Sequence, residues 1–149
     1  MLDKYDVSRN HISDVVVAIG PGSYTGVRIA ITIAKTIAAV LPVKVYTISS
    51  LRCQKDGKNP SICVINARSG RSYFGVYEDD KVLVEDMILA NDKVQEYINE
   101  HSDFVVCGNA TYLGVNGKQP DIAKELLSLK KVVAPVPDPL AVKPVYMKD

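Results

Sequence analysis

DVVVAIGPGSYTGVRIAITIAKTIAAVL, residues 14–41, is the stretch on which the reading of the whole chain turns. Residues 14–19 form a β-branched run with no polar residue after the first position, the pattern of a short strand buried on both faces. The run stops in Gly20-Pro21-Gly22-Ser23-Tyr24-Thr25-Gly26, and the spacing beyond it predicts a helix over 27–41. Strand, glycine turn and helix in this order aim backbone N–H groups at a helix N-terminus, where the helix dipole favours an anion. Gly20, Gly22, Ser23, Thr25 and Gly26, with Arg28 a turn into the helix, are the candidate anion-binding residues.

The standard phosphate fingerprints are not met. Gly20, Gly22 and Gly26 make GxGxxxG, one residue longer than the dinucleotide motif, and the strand predicted over 43–48 runs into Thr47-Ile48-Ser49 without an acidic residue for a ribose. A P-loop needs Lys-Ser or Lys-Thr after its last glycine, and here Val27-Arg28 follow Gly26. The glycines therefore have a second reading: they let the backbone turn and the helix pack closely on the strand.

In the helix, eleven of fifteen positions from 27 to 41 are apolar, and only Arg28 and Lys35 carry charge. A helix that is apolar nearly all round has to be covered nearly all round. Ala30, Ala34 and Ala38 fall at i, i+4 and i+8 as a flat seam, and Ile29, Ile33, Ile37 and Val40 form a bulky ridge beside it. One of the two faces the sheet. The other needs a cover, from within this chain, from a missing segment or from a second protein chain. Val27, Ile29, Ala30, Ile33, Ala34, Ile37, Ala38 and Leu41 are the candidate interface residues.

In front of this stretch, residues 1–5 read as the last turn of a helix and 7–13 as a polar connector. A strand buried on both sides needs neighbours on both sides, so the expectation is that N-terminal sequence is missing. Behind it, Pro42 stops the helix and 43–48 reads as a second strand. Ser49-Ser50 caps a short helix over 51–54, and the polar, turn-rich 55–60 is the expected boundary between two subdomains, 1–60 and 61–149. Residues 62–66, 72–77 and 81–89 read as an antiparallel meander, with a turn over 68–71. Asn91 is the expected cap of a helix over 92–100. A short buried strand over 104–107, an amphipathic helix over 122–129 and a last strand at Val132-Val133 follow. Four prolines among the last sixteen residues predict an extended tail packed on the surface.

The rest of the chain excludes more than it proposes. In 149 residues, 47% are apolar and 23% charged, with a net charge of +1 and scattered basic residues, so no polybasic nucleic-acid face is visible. Cys53, Cys63 and Cys107 are odd in number and lack CxxC spacing, which fits small core residues in a reducing cytosol rather than a disulfide framework. His11 and His101 are isolated, so no metal site is visible. Arg68 and Arg71 put two guanidiniums at a strand end, where they could pair a phosphate or simply be solvated. Asp79-Asp80 and Glu85-Asp86 read as solvated turn and strand-edge carboxylates, and no Ser-His-Asp or Cys-His arrangement can be argued from spacing. With no signal peptide and no apolar run long enough for a bilayer, the expected location is the cytoplasm.

At GPGSYTGVRIAITIAKTIA, residues 20–38, the sequence resembles the TsaB (YeaZ) family, whose hallmark reads GPGSFTGLRIG followed by a helix with an A-K-G/T-[LI]-A core. Ile48-Ser49-Ser50-Leu51 is similar to its GVSSL. Asn66-Ala67-Arg68 with Tyr73 and Tyr77 is similar to its DAR…EVY…Y, with Asn in place of the usual Asp. Pro144-Val145-Tyr146-Met147-Lys148 is similar to its closing P-x-Y-L-R, so the resemblance covers 14–149.

The resemblance implies an α/β, actin-like (ribonuclease-H-like) fold lacking the first strands and helix of the N-terminal subdomain, and with them a "DTS"-like motif and half of a dimer-forming helix pair. It implies a non-catalytic partner subunit in the making of threonylcarbamoyladenosine in tRNAs that read codons beginning with A. Such a subunit is similar to the catalytic TsaD but lacks its metal-binding histidines and competent nucleotide site. It activates TsaD and with it recruits the ATPase TsaE. No cofactor is then expected, ATP being handled by the partners, and tRNA is met only through the complex. Peptidase labels on such families rest on fold analogy alone. The competing readings are an autonomous nucleotide- or phosphate-binding enzyme using Gly20 to Gly26, and a homodimer formed through the same helix.

Overall fold

The structure is a computed structural model that describes residues 3–5 and 7–147. Its first unit is a parallel pair, β1 (Asp14–Ala18) and β2 (Lys44–Ile48), with Asp14 opposite Lys44 and Ala18 opposite Ile48. Parallel neighbours need a crossover, and α1 (Tyr24–Val40) supplies it. The helix starts at Tyr24 rather than Val27, because the Ser23 hydroxyl accepts the Gly26 N–H at 3.3 Å and draws Tyr24, Thr25 and Gly26 into the first turn. It ends where the Leu41 N–H closes the last bond, onto Ile37, and Pro42 has none to offer.

β1 departs from the strand buried on both faces that its sequence predicts. Only Val17, 6% exposed, is buried, and among the described residues β2 is its one partner strand, so its other edge carries no ladder. Side chains alternate across the pair. Val15, Val17, Ile19 and Val45 meet α1, while Val16, Ala18 and Ile48 meet α3 (Ile122–Lys130) on the opposite face through the fully buried Leu129.

The second sheet has the order β5-β4-β3-β6, built from β3 (Ser61–Arg68), β4 (Arg71–Glu78), β5 (Lys81–Ala90) and β6 (Val105–Cys107). β3, β4 and β5 form the predicted antiparallel meander. Arg68, Ser69 and Gly70 all take left-handed backbone in the first hairpin, with φ of 64°, 51° and 72°. β6 returns parallel to β3 after α2 (Asn91–Glu100). One face carries Ile62, Val64, Phe74 and Val76 against Val94 of α2, where Phe74 meets Tyr97 edge-on at 5.1 Å. The other packs Cys63, Tyr77 and Cys107 on Leu51.

Two further expectations are corrected. Asn91 does not cap α2: Ala90 holds that position, while the Asn91 side chain accepts from the Ser72 hydroxyl at 2.8 Å and its N–H closes the hairpin onto Gly70 at 2.9 Å. Val132-Val133 is not a strand. The chain turns there, Val133 packs beside Leu129, and strand-like bonding passes to Val136, whose N–H donates to Val45 at 2.8 Å. The proline-rich tail is extended as predicted from 142 to 147, yet it also closes a core. Val142 is buried among Val17, Ile31 and Ala34, and the Val145 N–H donates to Ile19 at 2.7 Å. Both α3 and the tail thus return to the first sheet. Residues 3–5 form a 3-10 turn, while Met1, Leu2 and the Lys148 of the closing motif lie outside the described residues.

Candidate functional site

α1 presents two faces of opposite use. Ile31 and Ala34, the latter 3% exposed, point into the core under the tail, with Val27, Ala30 and Ala38 partly buried beside them. The alanine seam Ala30, Ala34 and Ala38 is therefore not an outward interface. Its small side chains let the helix lie close on β1 and β2. The bulky ridge faces out: Ile29 and Ile33 are each 55% exposed and Val40 73%. Ile37 and Leu41 are half-buried between the two faces.

The ridge is more apolar than its composition suggests. The hydroxyls of Thr32 and Thr36 both donate at 2.8 Å to carbonyls one turn back, at Arg28 and Thr32, so what they turn outward is largely methyl. Tyr24, Thr25, Arg28, Ile29, Thr32 and Ile33 together line a shallow groove of about 350 Å³. Its rim is a stacked trio. Arg28 donates to the Tyr24 hydroxyl at 2.6 Å and lies 5.0 Å over the Tyr24 ring, which stacks on Tyr146 of the tail at 5.3 Å.

That arrangement separates Arg28 from the glycine turn it was grouped with. Gly20 is committed too: its N–H donates to the Ser50 hydroxyl and its carbonyl accepts the Ser50 N–H, both at 2.9 Å. A Cβ there would sit 2.6 Å from the Val145 carbonyl oxygen, on backbone at φ +108°, so Gly20 seats the tail. The Gly26 N–H is taken by Ser23. Gly22, Ser23 and Thr25 do face open space, a cleft of about 760 Å³ between the turn and the end of β3.

Gln54, Asn66, Arg68, Asn109, Thr111 and Tyr112 form the far side of this cleft, and Arg68 is the one charged residue among its lining. Asn66 accepts the Arg68 N–H at 2.8 Å, and Asn109 accepts the Thr111 hydroxyl at 2.7 Å, so both amides serve first to shape their loops. Nothing in the sequence singled out Gln54, Asn109 or Thr111. Asn109 and Thr111 reach the cleft because β6 returns beside β3, and Gln54 reaches it from the 3-10 turn Arg52–Gln54 that follows β2.

A partly buried polar clamp joins the two sheets. Ser49, just past β2, and Tyr77 of β4 both donate to the Asp86 carboxylate of β5. The Ser49 hydroxyl also accepts from the N–H groups of Leu51 and Arg52, at 3.1 and 3.3 Å, at the entry to the 3-10 turn Arg52–Gln54, whose N-cap position is held by Leu51. Burial pushes the Asp86 carboxyl above its ordinary value, with the Ser49 hydrogen bond and the Arg52 charge pulling the other way. A second tie, the buried pair Lys55–Glu125 at 2.9 Å, fastens the following loop to α3.

Among the described residues no group of three or more His, Cys, Asp or Glu could hold a metal ion, and no helix is long and apolar enough to cross a membrane.

A family model described as "TsaD: tRNA N6-adenosine threonylcarbamoyltransferase" matches residues 1–129. The tRNA threonylcarbamoyladenosine biosynthesis protein TsaB of Bacillus subtilis is 38% identical over 94 residues, 59% of this chain and 40% of that protein. An uncharacterized protein of Mycoplasma genitalium is 30% identical across 100% of this chain and 72% of its own length. The solved structure of YeaZ from Pseudomonas aeruginosa superposes with a TM-score of 0.76 at 23% identity, covering 98% of this chain and 78% of that one. The match to the Bacillus protein thus spans well under half of that relative. The GPGSYTG turn, the α/β architecture shared with YeaZ and the family match agree: the chain belongs to the threonylcarbamoyltransferase-related family described by that model and, within it, to the TsaB (YeaZ) group of actin-like fold.

Proposed function

We propose that the chain is a non-catalytic partner subunit in the formation of threonylcarbamoyladenosine in tRNA, docking a TsaD-like catalytic subunit on the outward face of α1. In this reading a TsaE-like ATPase joins the pair, ATP is handled by the partners, and the tRNA is met only through the complex in the cytoplasm. The two sheets act as the two actin-like subdomains, 1–60 and 61–149, with α3 and the tail crossing back to bind them.

The observation that carries the reading is the exposed ridge of Ile29 and Ile33 on a helix whose opposite face already fills this chain's core. Burying the exposed part of each isoleucine contributes about 1–2 kcal/mol to association. The names of the TsaB relatives support the pathway, and a cleft lining without a carboxylate or histidine supports the accessory role. The test is co-purification with a TsaD-like subunit. Ile33→Glu should abolish it while leaving circular dichroism and thermal unfolding unchanged; undiminished co-elution of that variant would remove α1 as the docking surface. In isolation the same face is expected to pair two copies of the chain, which gel filtration would report as a dimer.

A second reading rests on the cleft, where Gly22, Ser23 and Thr25 face Arg68 across a space large enough for a nucleoside phosphate. Calorimetric titration with ADP separates the two. Micromolar binding by the chain alone, lost in Arg68→Ala, would favour an autonomous nucleotide-binding protein, and no heat at that concentration would favour the partner subunit.

A further inference from the structure

All three cysteines are free and buried. No sequence motif relates Cys63 to Cys107, but the fold sets them opposite each other in the parallel β3–β6 ladder. Both side chains belong to one cluster with Leu51 and Tyr77, so they leave the sheet on the same face. Neighbouring strands lie about 4.8 Å apart, within the roughly 4.4–6.8 Å between Cα atoms that a disulfide spans. Cys107 also forms part of the wall of a second cleft, about 460 Å³, together with Asp56, Lys118 and Lys124.

We infer that Cys107 and Cys63 are a nucleophile and resolving pair, which a hydroperoxide converts into a reversible disulfide that staples β6 to β3. The two thiols are not equivalent. The adjoining Cys63 thiol holds Cys107 below its ordinary value, against burial and the Asp56 charge and with help from Ser61 and Lys118, while the Cys107 S–H itself donates to the Val105 carbonyl at 3.8 Å. Burial and the adjoining Cys107 push Cys63 well above its own. Burial likewise pushes Cys53 up to about 11, which leaves it inert.

In the first step the Cys107 sulfur attacks the peroxide's outer oxygen and the O–O bond breaks. The alkoxide or hydroxide leaving group takes a proton, and Cys107 becomes a sulfenic acid. In the second step the Cys63 sulfur attacks the Cys107 sulfur, the S–O bond breaks, and the displaced hydroxide departs as water with the Cys63 proton. The two sulfurs together lose two electrons and the peroxide gains them.

Access and consequence both follow from β6. It is a short strand, Val105–Cys107, tied on its free side, among the described residues, through Lys118, whose N–H donates to Val106 at 2.7 Å and whose carbonyl accepts the Gly108 N–H at 3.0 Å. Local opening of such an edge admits a small oxidant. Asn109 and Thr111, on the wall of the large cleft, come directly after it. The disulfide would therefore hold that wall in place.

The test is peptide mapping of the whole chain under non-reducing conditions after exposure to hydrogen peroxide. The expected result is a single linked pair of peptides containing Cys63 and Cys107, a mass lower by two hydrogens, and full recovery with dithiothreitol. Cys53→Ser should cross-link as the wild type does. Cys63→Ser should instead accumulate a sulfenic acid at Cys107 that dimedone traps. A link involving Cys53, oxygen uptake at Cys107 of the wild type without a link, or survival of all thiols under peroxide that oxidises the denatured chain would each overturn the inference.

Discussion

Asp86 reads in the sequence as a strand-edge carboxylate beside Glu85, and in the structure it accepts from Ser49 and Tyr77 across two sheets. Its carboxyl is raised by burial, so the folded chain holds that proton more tightly than the unfolded chain does. The stability it contributes is complete below the ordinary carboxylate value of 3.8 and is lost as pH rises through the raised value. Asp86→Asn stays neutral throughout. Thermal unfolding of the variant should therefore gain on the wild type as pH is raised from 4 to 7, and a difference independent of pH would contradict the burial argument. Asp56 has the opposite sign. Lys118 at 2.6 Å holds its carboxyl below the ordinary value, so its contribution is lost on acidification. Neither role was legible beforehand, because the partners stand far along the chain and only the fold assembles them. Cys63 and Cys107 escaped notice for the same reason.

At the scale of the element, the composition of α1 announced that it would be covered on more than one side, and the turn before it announced close packing. Which side belonged to whom was not legible. A bulky ridge is the ordinary choice for a core, yet here Ala30, Ala34 and Ala38 turn inward while Ile29 and Ile33 stay out. The physical reason is distance: small side chains let the helix settle on β1 and β2, and the tail residue Val142 completes the packing. The prediction at this scale is a contrast between adjacent residues. Ala34→Glu would force a carboxylate into a space without a partner and should cost several kcal/mol, roughly 3 or more, in chemical denaturation. Ile33→Glu should change stability by no more than about 0.5 kcal/mol. Equal losses would mean that the helix has no free face.

For the molecule as a whole, the strands, the meander and the crossover were readable because each rests on local periodicity and turn chemistry. The closing of the fold was not. Val132-Val133 carries the composition of a strand, but the position beside β2 goes to Val136, and the tail that reads as surface packing holds Ile19 and buries Val142. The large cleft follows from that closure, since the turn at Gly22 and the loop at Asn109 meet only once both sheets are in place. The α1 ridge is among the apolar surfaces that the described residues leave uncovered, and the proposed function stands on it. The most direct test is the dissociation constant for a TsaD-like subunit, measured for Ile33→Ala and for Leu83→Ala, a control on β5 that is 44% exposed. The account predicts a loss of roughly ten- to thirtyfold for Ile33→Ala, equivalent to about 1.4–2 kcal/mol, and no change for Leu83→Ala. Equal affinities in both variants and the wild type would contradict it.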